Sequence, residues 1–499
     1  MFFHITFKMQ GDYNAAVAAL NTLQSNFSIV DAIRKSGRGM NKNAIPEMIE
    51  WVNKLGYEPA DFDKLKAVHV AGTKGKGSTS SFVSSILGQY VAQGKVNKTG
   101  LYTSPHLRFV RERIQIDNKP LTEEQFARYF FETWNRLEAA AKAAGHPDPS
   151  SKETKPVYFR FLTLMALHTY ISEGVDAAVI ECGIGGEFDS TNILVKPSVT
   201  AVTSLGIDHV AMLGDTIDSI AWHKAGVFKP GVPAFSAPQP EEAVRVLHER
   251  AAERSTTLEV VNTHPELEKI KLGLAADFQK TNASVAIAAA GAYLRQVGVE
   301  DLPTSTYLPS AFRAGLEQVH LGGRCETRTD TVAQNLKWYI DGGHTLESIE
   351  LAARWFGSLI STSSSSPRIL IFNQQTRDAS SLALKLHSTL AQALKEQKPF
   401  SHAFFCTNTT YAESGFRPDL TSINTNASDV ETLSVQNALA ETWKGVDGTC
   451  DVRVLRTVEE AVKAAREVAG EANGEVMVLA TGSLHLVGGV VEVLEGGNA

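Results

Sequence analysis

The sequence predicts an α/β protein of two domains, the first a doubly wound, mostly parallel sheet and the second a smaller α/β unit. Three observations predict it. Short apolar runs alternate with stretches whose apolar residues recur every three or four positions, as when buried strands feed covering helices. That alternation occurs twice, on either side of a proline-punctuated stretch at Leu302–Phe312. The chain has 499 residues, 43% hydrophobic and 21% charged, enough for about two to four domains and too apolar for a disordered chain.

In order, residues 13–56 read as short helices, with Ala16, Val17, Leu20 and Leu23 at helical spacing. The run Ala67–Ala71 stops at Gly72, and Phe82, Val83, Ile86, Leu87, Tyr90 and Val91 then repeat at threes and fours: a buried strand entering a helix through a glycine loop. Helices are expected at Glu123–Ala143, Val157–Ser172, Thr216–Val227, Glu241–Arg254 and Asn282–Val297, and strands at Ala177–Ile180, Val199–Thr203 and Val232–Ser236. The second alternation places strands at Leu336–Ile340, Ile369–Phe372, Ala403–Cys406 and Val476–Ala480, with helices at Leu346–Leu359, Ser381–Lys395 and Val458–Ala469. A boundary near Arg324–Asp330 gives domains 1–325 and 326–499, the second Rossmann-like. The polar tracts Ser361–Ser366 and Asn408–Asp429 read as surface loops.

A net charge of −7 supplies no global basic field, so a nucleic-acid partner is not expected. Cys182, Cys325, Cys406 and Cys450 are scattered without a CxxC pair, which argues against a zinc site or disulfide scaffold and for a reducing compartment. The longest apolar stretch, around Ala283–Leu294, is too short to span a bilayer. MFFHITFKMQ makes a poor leader, although Met9 could be an alternative start. The expected location is cytoplasmic, with a mitochondrial form, or association with the matrix or inner membrane, as an alternative.

The segment HVAGTKGKGSTSS carries the sharpest chemical signal. Gly72, Gly75 and Gly77 allow a tight turn whose N–H groups, with those of Thr73 and Ser78, face a polyphosphate, as in a P-loop. Lys76 adds a point charge. A ligand-free glycine turn is the bland alternative. Gly77 stands where a Ser or Thr usually coordinates magnesium, so another oxygen ligand must be recruited if the ion is held tightly.

Three further residues fall near predicted strand ends or on the helix that follows. Glu181 ends the run DAAVI within ECGIGGEFDSTN, His209 follows PSVTAVTSLGID, and Lys224 lies on the next helix. In an open α/β sheet the ligand crevice lies beyond the carboxyl ends of the strands. Taken singly, each also reads as a cap, a satisfied polar group or a solvated charge.

The motifs GTKGKGS, TSPHLRFVRERIQI, ECGIGGEFDSTN, GIDHVAMLGDTIDSIAWHKAGVFK, FQKTNASVA, WYIDGGHTLES and TGSLHLVGG run in order along nearly the whole chain. Together they resemble the folylpolyglutamate synthases of the Mur-ligase superfamily. DYNAAVAALNTLQSN, WYIDGGHTLES and NQQTRD resemble its eukaryotic, fungal-like branch.

The resemblance implies an ATP-dependent ligase that joins L-glutamate to the γ-carboxylate of folate or tetrahydrofolate and of folylpolyglutamates, in folate retention and one-carbon metabolism. The carboxylate takes the γ-phosphoryl group to give an acyl phosphate, which the glutamate amine then attacks. By resemblance, Lys76 and the loop hold the phosphates, and Ser104 with Glu181 binds one Mg²⁺. Glu181, His209 and Lys224 hold a second, with Lys224 carbamylated and K⁺ a further candidate cation. Asn282 and Arg324 match nucleotide contacts. Asp341 and His344 match residues reaching the nucleotide and the reacting end, Arg377 and Ser483 are candidates for the glutamate carboxylates, and the second domain is expected to close on the first. A monomer is expected.

Two departures stand out. Gly343 replaces the usual Ala of DGAH, which is expected to loosen the turn, and Lys74 replaces a common Asn, adding positive charge. Arg108, Arg111 and Arg113 read either as a folate-orienting patch or as a solvated basic strand. The rival activities are dihydrofolate synthase, a catalytically dead nucleotide-binding module and a bacterial-type cell-wall ligase. WYIDGGHTLES and NQQTRD favour the folate-extending enzyme over the first; the LNTLQSN opening and the ECGIGG segment argue against the last.

Overall fold

Val68–Ala71 (β1) is buried at every position, as a strand covered on both faces must be. Its neighbours in the sheet are Ala177–Glu181 (β5) and Val199–Val202 (β6), both parallel to it and fully buried. The computed structural model describes residues 11–24, 41–360, 366–375, 377–413, 419 and 427–496. The MFFHITFKMQ segment with Met9, and residues 361–365 of the serine tract, lie outside them.

The chain divides into two compact units. Met1–His106, Val110–Gly273 and Phe278–His320 form the first; Leu107–Phe109, Leu274–Asp277 and Leu321–Ala499 form the second.

The first unit holds an eight-stranded sheet. Besides β1, β5 and β6 it contains Thr99–Tyr102 (β2), Ile114–Ile116 (β3), Lys119–Pro120 (β4), Ala234–Ser236 (β7) and Leu258–Val260 (β8), in the order β4-β3-β2-β5-β1-β6-β7-β8. Among the described residues the pairings are parallel except β2–β3 and β3–β4, which form an antiparallel edge extension. Thr122 and Gln125 close a capping box that starts the helix Glu123–Ala143, whose Phe126, Phe130 and Leu137 are buried. These pack with Ala16, Val17 and Leu20 of the helix Tyr13–Asn21, and Tyr13 meets Phe126 edge-on at 5.4 Å.

The second unit holds Glu326–Thr329 (β9), Leu336–Ile340 (β10), Arg368–Phe372 (β11), His402–Cys406 (β12), Asp451–Leu455 (β13) and Val476–Thr481 (β14), in the order β13-β12-β11-β14-β10-β9. Among the described residues, β9 is the one antiparallel strand of this sheet.

The structure differs from the sequence reading in several places. The proline-rich stretch ends in a helix, Ser310–Gln318, with Pro309 at its N-cap and Phe312 and Leu316 buried. β2, the β3–β4 hairpin, β8, β9 and β13 and the helices Ser434–Val446 and Leu484–Gly496 are additional elements. In the tract read as the loop Asn408–Asp429, Thr410 is buried and a helix, Ala427–Thr432, begins, while residues 414–418 and 420–426 lie outside the described residues. The Thr216–Val227 helix is α-helical only over Ile217–Lys224 and tightens to a 3₁₀ turn at Ala225–Val227, so Lys224 ends the α-helix. Among the described residues, no helix is long and apolar enough to cross a membrane.

Asp330 is the polar hub of the second unit. Its carboxylate accepts Val332 N (2.8 Å), Ala333 N (2.9 Å), Trp338 Nε1 (3.0 Å) and Arg466 Nε (3.1 Å). Asp330→Ala would strand four donors, and a loss of about 3 kcal/mol is expected in chemical denaturation of the second unit's signal.

Candidate active site

β1 ends at Ala71 and its chain turns through the glycine loop into the helix Lys76–Gly88. Gly72 (φ +146°) and Gly75 (φ +88°) adopt backbone conformations closed to L side chains. A Cβ at Gly72 would also collide with Thr203, and one at Gly75 with the Asn282 side chain. The loop is strapped to the segment after β6: Thr73 N and Lys74 N donate to Ser204 O (3.1 and 3.0 Å), and Thr73 Oγ1 donates to Gly206 O (3.1 Å). Lys76 opens the helix at its positive end. Gln279 Nε2 donates to Ser78 Oγ (3.3 Å), and Asn282 Nδ2 donates to Gln279 Oε1 (2.8 Å), so Ser78 and Asn282 meet through one glutamine.

The β1–β5 register pairs Val70 with Glu181, so Glu181 lies level with the end of β1, where the glycine loop begins. Glu181 is 3% exposed. Ser104, which follows β2, donates its backbone N–H to Glu181 Oε2 (3.0 Å), so the structure brings these two together.

Lys224 is 3% exposed, far from the solvated helical lysine of the bland reading. Its Nζ donates to Gly72 O (2.8 Å). Burial, followed by repulsion from Lys76, pushes its amine down to about 7. Lys76, Lys224 and Gly72 are therefore neighbours.

His209 has left-handed φ (+52°), which His tolerates better than most residues, and sits among exposed residues ahead of the turn Val210–Leu213. Its backbone N–H donates to Asp208 Oδ1 (2.9 Å). The other oxygen of Asp208 pairs with Lys74 Nζ (3.2 Å), so a nearly buried carboxylate offsets the charge that Lys74 adds to the loop.

Among the described residues, no three His, Cys, Asp or Glu side chains are grouped to hold a metal ion. The expected set has only two such residues, Glu181 and His209. Its remaining oxygens would come from Ser104, a modified lysine and phosphate. Its fit to magnesium rests on the buried Glu181 carboxylate and on a lysine amine that burial drives toward neutrality.

In the second unit, Asp341 follows β10. Its Oδ2 accepts Cys325 N (2.9 Å), beside Arg324, and its Oδ1 accepts Gly343 N (2.9 Å). Burial raises the Asp341 carboxyl and the Arg324 charge opposes that rise. Gly342 N donates to Gly323 O (2.9 Å), Gly482 N to Gly343 O (3.1 Å) and His344 N to Ser348 Oγ (2.9 Å). The turn is thus tightly tied, and the looseness expected of Gly343 is not found: a Cβ there would lie 3.1 Å from both Asp341 Oδ1 and Ser348 O. His344 Nδ1 lies 3.0 Å from Gly342 O, so that ring nitrogen is the one that donates to the carbonyl.

Ser483 Oγ accepts Leu486 N (3.1 Å) and so caps the helix Leu484–Gly496. Arg377 is exposed, next to Asp378, which caps the helix Ala379–Leu394. The arginine stretch is not a basic strand. Val110–Arg113 is a 3₁₀ turn, with Arg113 Nε donating to His106 Nδ1 (2.9 Å) and Arg111 Nη1 to Leu121 O (3.1 Å). Arg108 is bound by Glu492 (2.9 Å) and Glu495. The sequence reading missed Asp189, Asn192, Asp208 and Gln279; the turn-forming run Asp-Ser-Thr-Asn after the glycines was the one signal available.

Gly75→Ala tests the loop. The substitution forces an L residue into left-handed φ against Asn282, and ATP affinity is expected to fall about tenfold with a stability loss of about 1–2 kcal/mol. Isothermal calorimetry and thermal melts check both.

No family model matches the chain. A curated relative, the folylpolyglutamate synthase of Neurospora crassa, is 44% identical over 492 residues, covering 98% of this chain and 92% of the relative. Among solved structures, the apo form of L. casei FPGS superposes with a TM-score of 0.67 at 22% identity, covering 97% of this chain and 99% of that one. An FPGS–AMPPCP–folate complex superposes with a TM-score of 0.66 at 21% identity, covering 97% and 99%. These two share the two-sheet fold, and identity at 44% along almost the entire sequence settles the lineage: the chain belongs to the folylpolyglutamate synthase family.

Proposed function

We propose that this protein uses ATP to join L-glutamate to the γ-carboxylate of folate or tetrahydrofolate and of folylpolyglutamates, releasing ADP and phosphate. One observation carries the reading: a buried carboxylate and a buried lysine bonded to the Gly72 carbonyl flank a tightly turned glycine loop at a helix N-terminus. The name shared with the 44%-identical relative supports the substrate class. On this reading the first unit binds ATP and the second serves the incoming glutamate.

Lys76 and the N–H groups of Gly72–Ser78 hold the phosphates at a helix N-terminus. Asn282 and Arg324 serve the nucleotide. Ser104, Glu181, His209 and Lys224 would hold two magnesium ions, which offset repulsion as the carboxylate approaches the γ-phosphate. Lys224 fits carbamylation: its unprotonated amine attacks CO₂, a proton leaves, and a carboxylate-like group remains. Asp341 and His344 serve the reacting end, with the His344 ring oriented by its Nδ1 bond to Gly342 O. Arg377 remains a candidate for a glutamate carboxylate; the Ser483 oxygen already accepts a backbone N–H, which leaves its hydroxyl as a donor. The four free thiols are in keeping with a cytoplasmic placement.

Phosphate release that requires ATP, tetrahydrofolate and glutamate together tests the assignment; offering dihydropteroate alone separates it from dihydrofolate synthase. Lys224→Ala is expected to slow ligation on the order of 100-fold or more with ATP binding kept. Lys76→Ala is expected to weaken ATP binding roughly tenfold or more as well. Because the Lys224 amine loses its proton as pH rises through about 7, carbamate formation should grow from pH 6 to pH 8. Carbon-13 NMR with labelled bicarbonate reads it, and a signal that survives in Lys224→Ala would refute the site.

A further inference from the structure

Resting on that reading of Glu181 and Lys224, the loop between β5 and β6 has a role of its own. Directly after Glu181–Cys182, the N–H groups of Gly183 and Ile184 donate to Asp189 Oδ2 (3.0 and 2.9 Å). Asp189 Oδ1 accepts Thr191 N (2.9 Å) and Thr191 Oγ1 (2.6 Å). Thr191 Oγ1 in turn lies 2.8 Å from Nε2 of His69, three residues before Gly72 on β1. This side of the loop is therefore bound to the strand that carries the phosphate loop.

The opposite side is bound to Lys224. Glu187 N donates to His223 O (2.7 Å). A Cβ on Gly186 would come 2.6 Å from His223 O and 2.8 Å from Lys224 O, and one on Gly226 would run into Glu187. The Glu187 carboxylate is held by Arg250 (2.6 Å) and Arg254 (2.7 Å).

Asn192 closes this contact. Its buried Nδ2 donates both protons across the seam, to Glu187 O (3.1 Å) on one side and Gly226 O (3.0 Å) on the other. Among the described residues its buried Oδ1 has no hydrogen-bond partner, so the contacts this side chain makes here are those of its two donors.

We propose that Asn192 is a positioning residue, whose amide locks the loop leaving Glu181 onto the turn that ends the Lys224 helix and so fixes these two groups relative to each other. Asp is nearly the same shape but would present oxygens to both carbonyls.

The test is Asn192→Asp in the full chain, with ADP affinity measured by calorimetry in EDTA and in magnesium, steady-state ligation, and a thermal melt. The expected result is unchanged ADP affinity in EDTA, a smaller tightening on adding magnesium, and kcat lowered on the order of 10- to 100-fold with KM for ATP little changed. Asn192→Ser, which keeps one donor, should fall between, and it carries the test if the Asp variant does not fold. Wild-type magnesium response and kcat well below a lowered Tm would overturn the proposal and leave Asn192 merely structural. Full ligation by Lys224→Ala would instead remove the reading on which it rests, whereas an inactive Lys224→Ala beside a normal Asn192→Asp would sink the positioning role alone.

Discussion

A single hydrogen bond, from the Lys224 amine to the carbonyl of Gly72, joins the two elements that the rest of the first unit organises. An ammonium taken out of water is strongly disfavoured unless an anion compensates it. Here the amine meets a carbonyl dipole and the charge of Lys76, while Asp208, one of the carboxylates whose field reaches it, is paired with Lys74. Burial therefore works against the charged form of this amine. The same burial would be a liability in a helix with no ligand to bind.

That bond forms only because the parallel sheet gathers its carboxyl ends on one edge. β1 lies between β5 and β6, so the loop after it has Glu181 on one flank and Thr203–Gly206 on the other. The glycines follow from the crowding. Gly72 and Gly75 lack a Cβ because Thr203 and Asn282 occupy the space, and Gly186 lacks one because the Lys224 backbone does. Residues that look like flexibility in the sequence are, in the fold, points of closest approach.

Much of this was legible in advance because strands covered on both faces are short apolar runs, as AVHVA and DAAVI are. What escaped had weaker signatures for physical reasons. β9 (ETRT) and β13 (DVRVL) are half-exposed, so no apolar run marks them. β2 contains Gly100, where a side chain would crowd Tyr170 and Val175. The helix Leu484–Gly496 carries two consecutive glycines and is buried on nearly every side, so it shows little amphipathic period. At the site, GTKGKGS and ECGIGG announced themselves, whereas Lys224 could be placed only by its company. Nothing in AWHKAGV distinguishes a buried lysine from a solvated one. Ser483 shows the converse, since a hydroxyl after a strand and a glycine reads equally as ligand or cap, and its oxygen accepts a helix N–H.

The DGGH turn shows how little a local departure decides when its surroundings are fixed. A glycine in place of alanine widens the conformations open to an isolated chain, and alone it argues for a looser turn. In the fold, Asp341 N is held by Ala480 O, Gly342 N by Gly323 O and Gly343 N by the Asp341 side chain, while Gly343 O is held by Gly482 N. With those four groups set, the turn has no freedom left for glycine to exploit. The consequence reaches His344, whose ring takes its tautomer from the carbonyl of the Gly342 so restrained. The orientation of the ring is thus set by the backbone path of the turn, through a carbonyl whose own place is fixed by hydrogen bonds elsewhere in the turn.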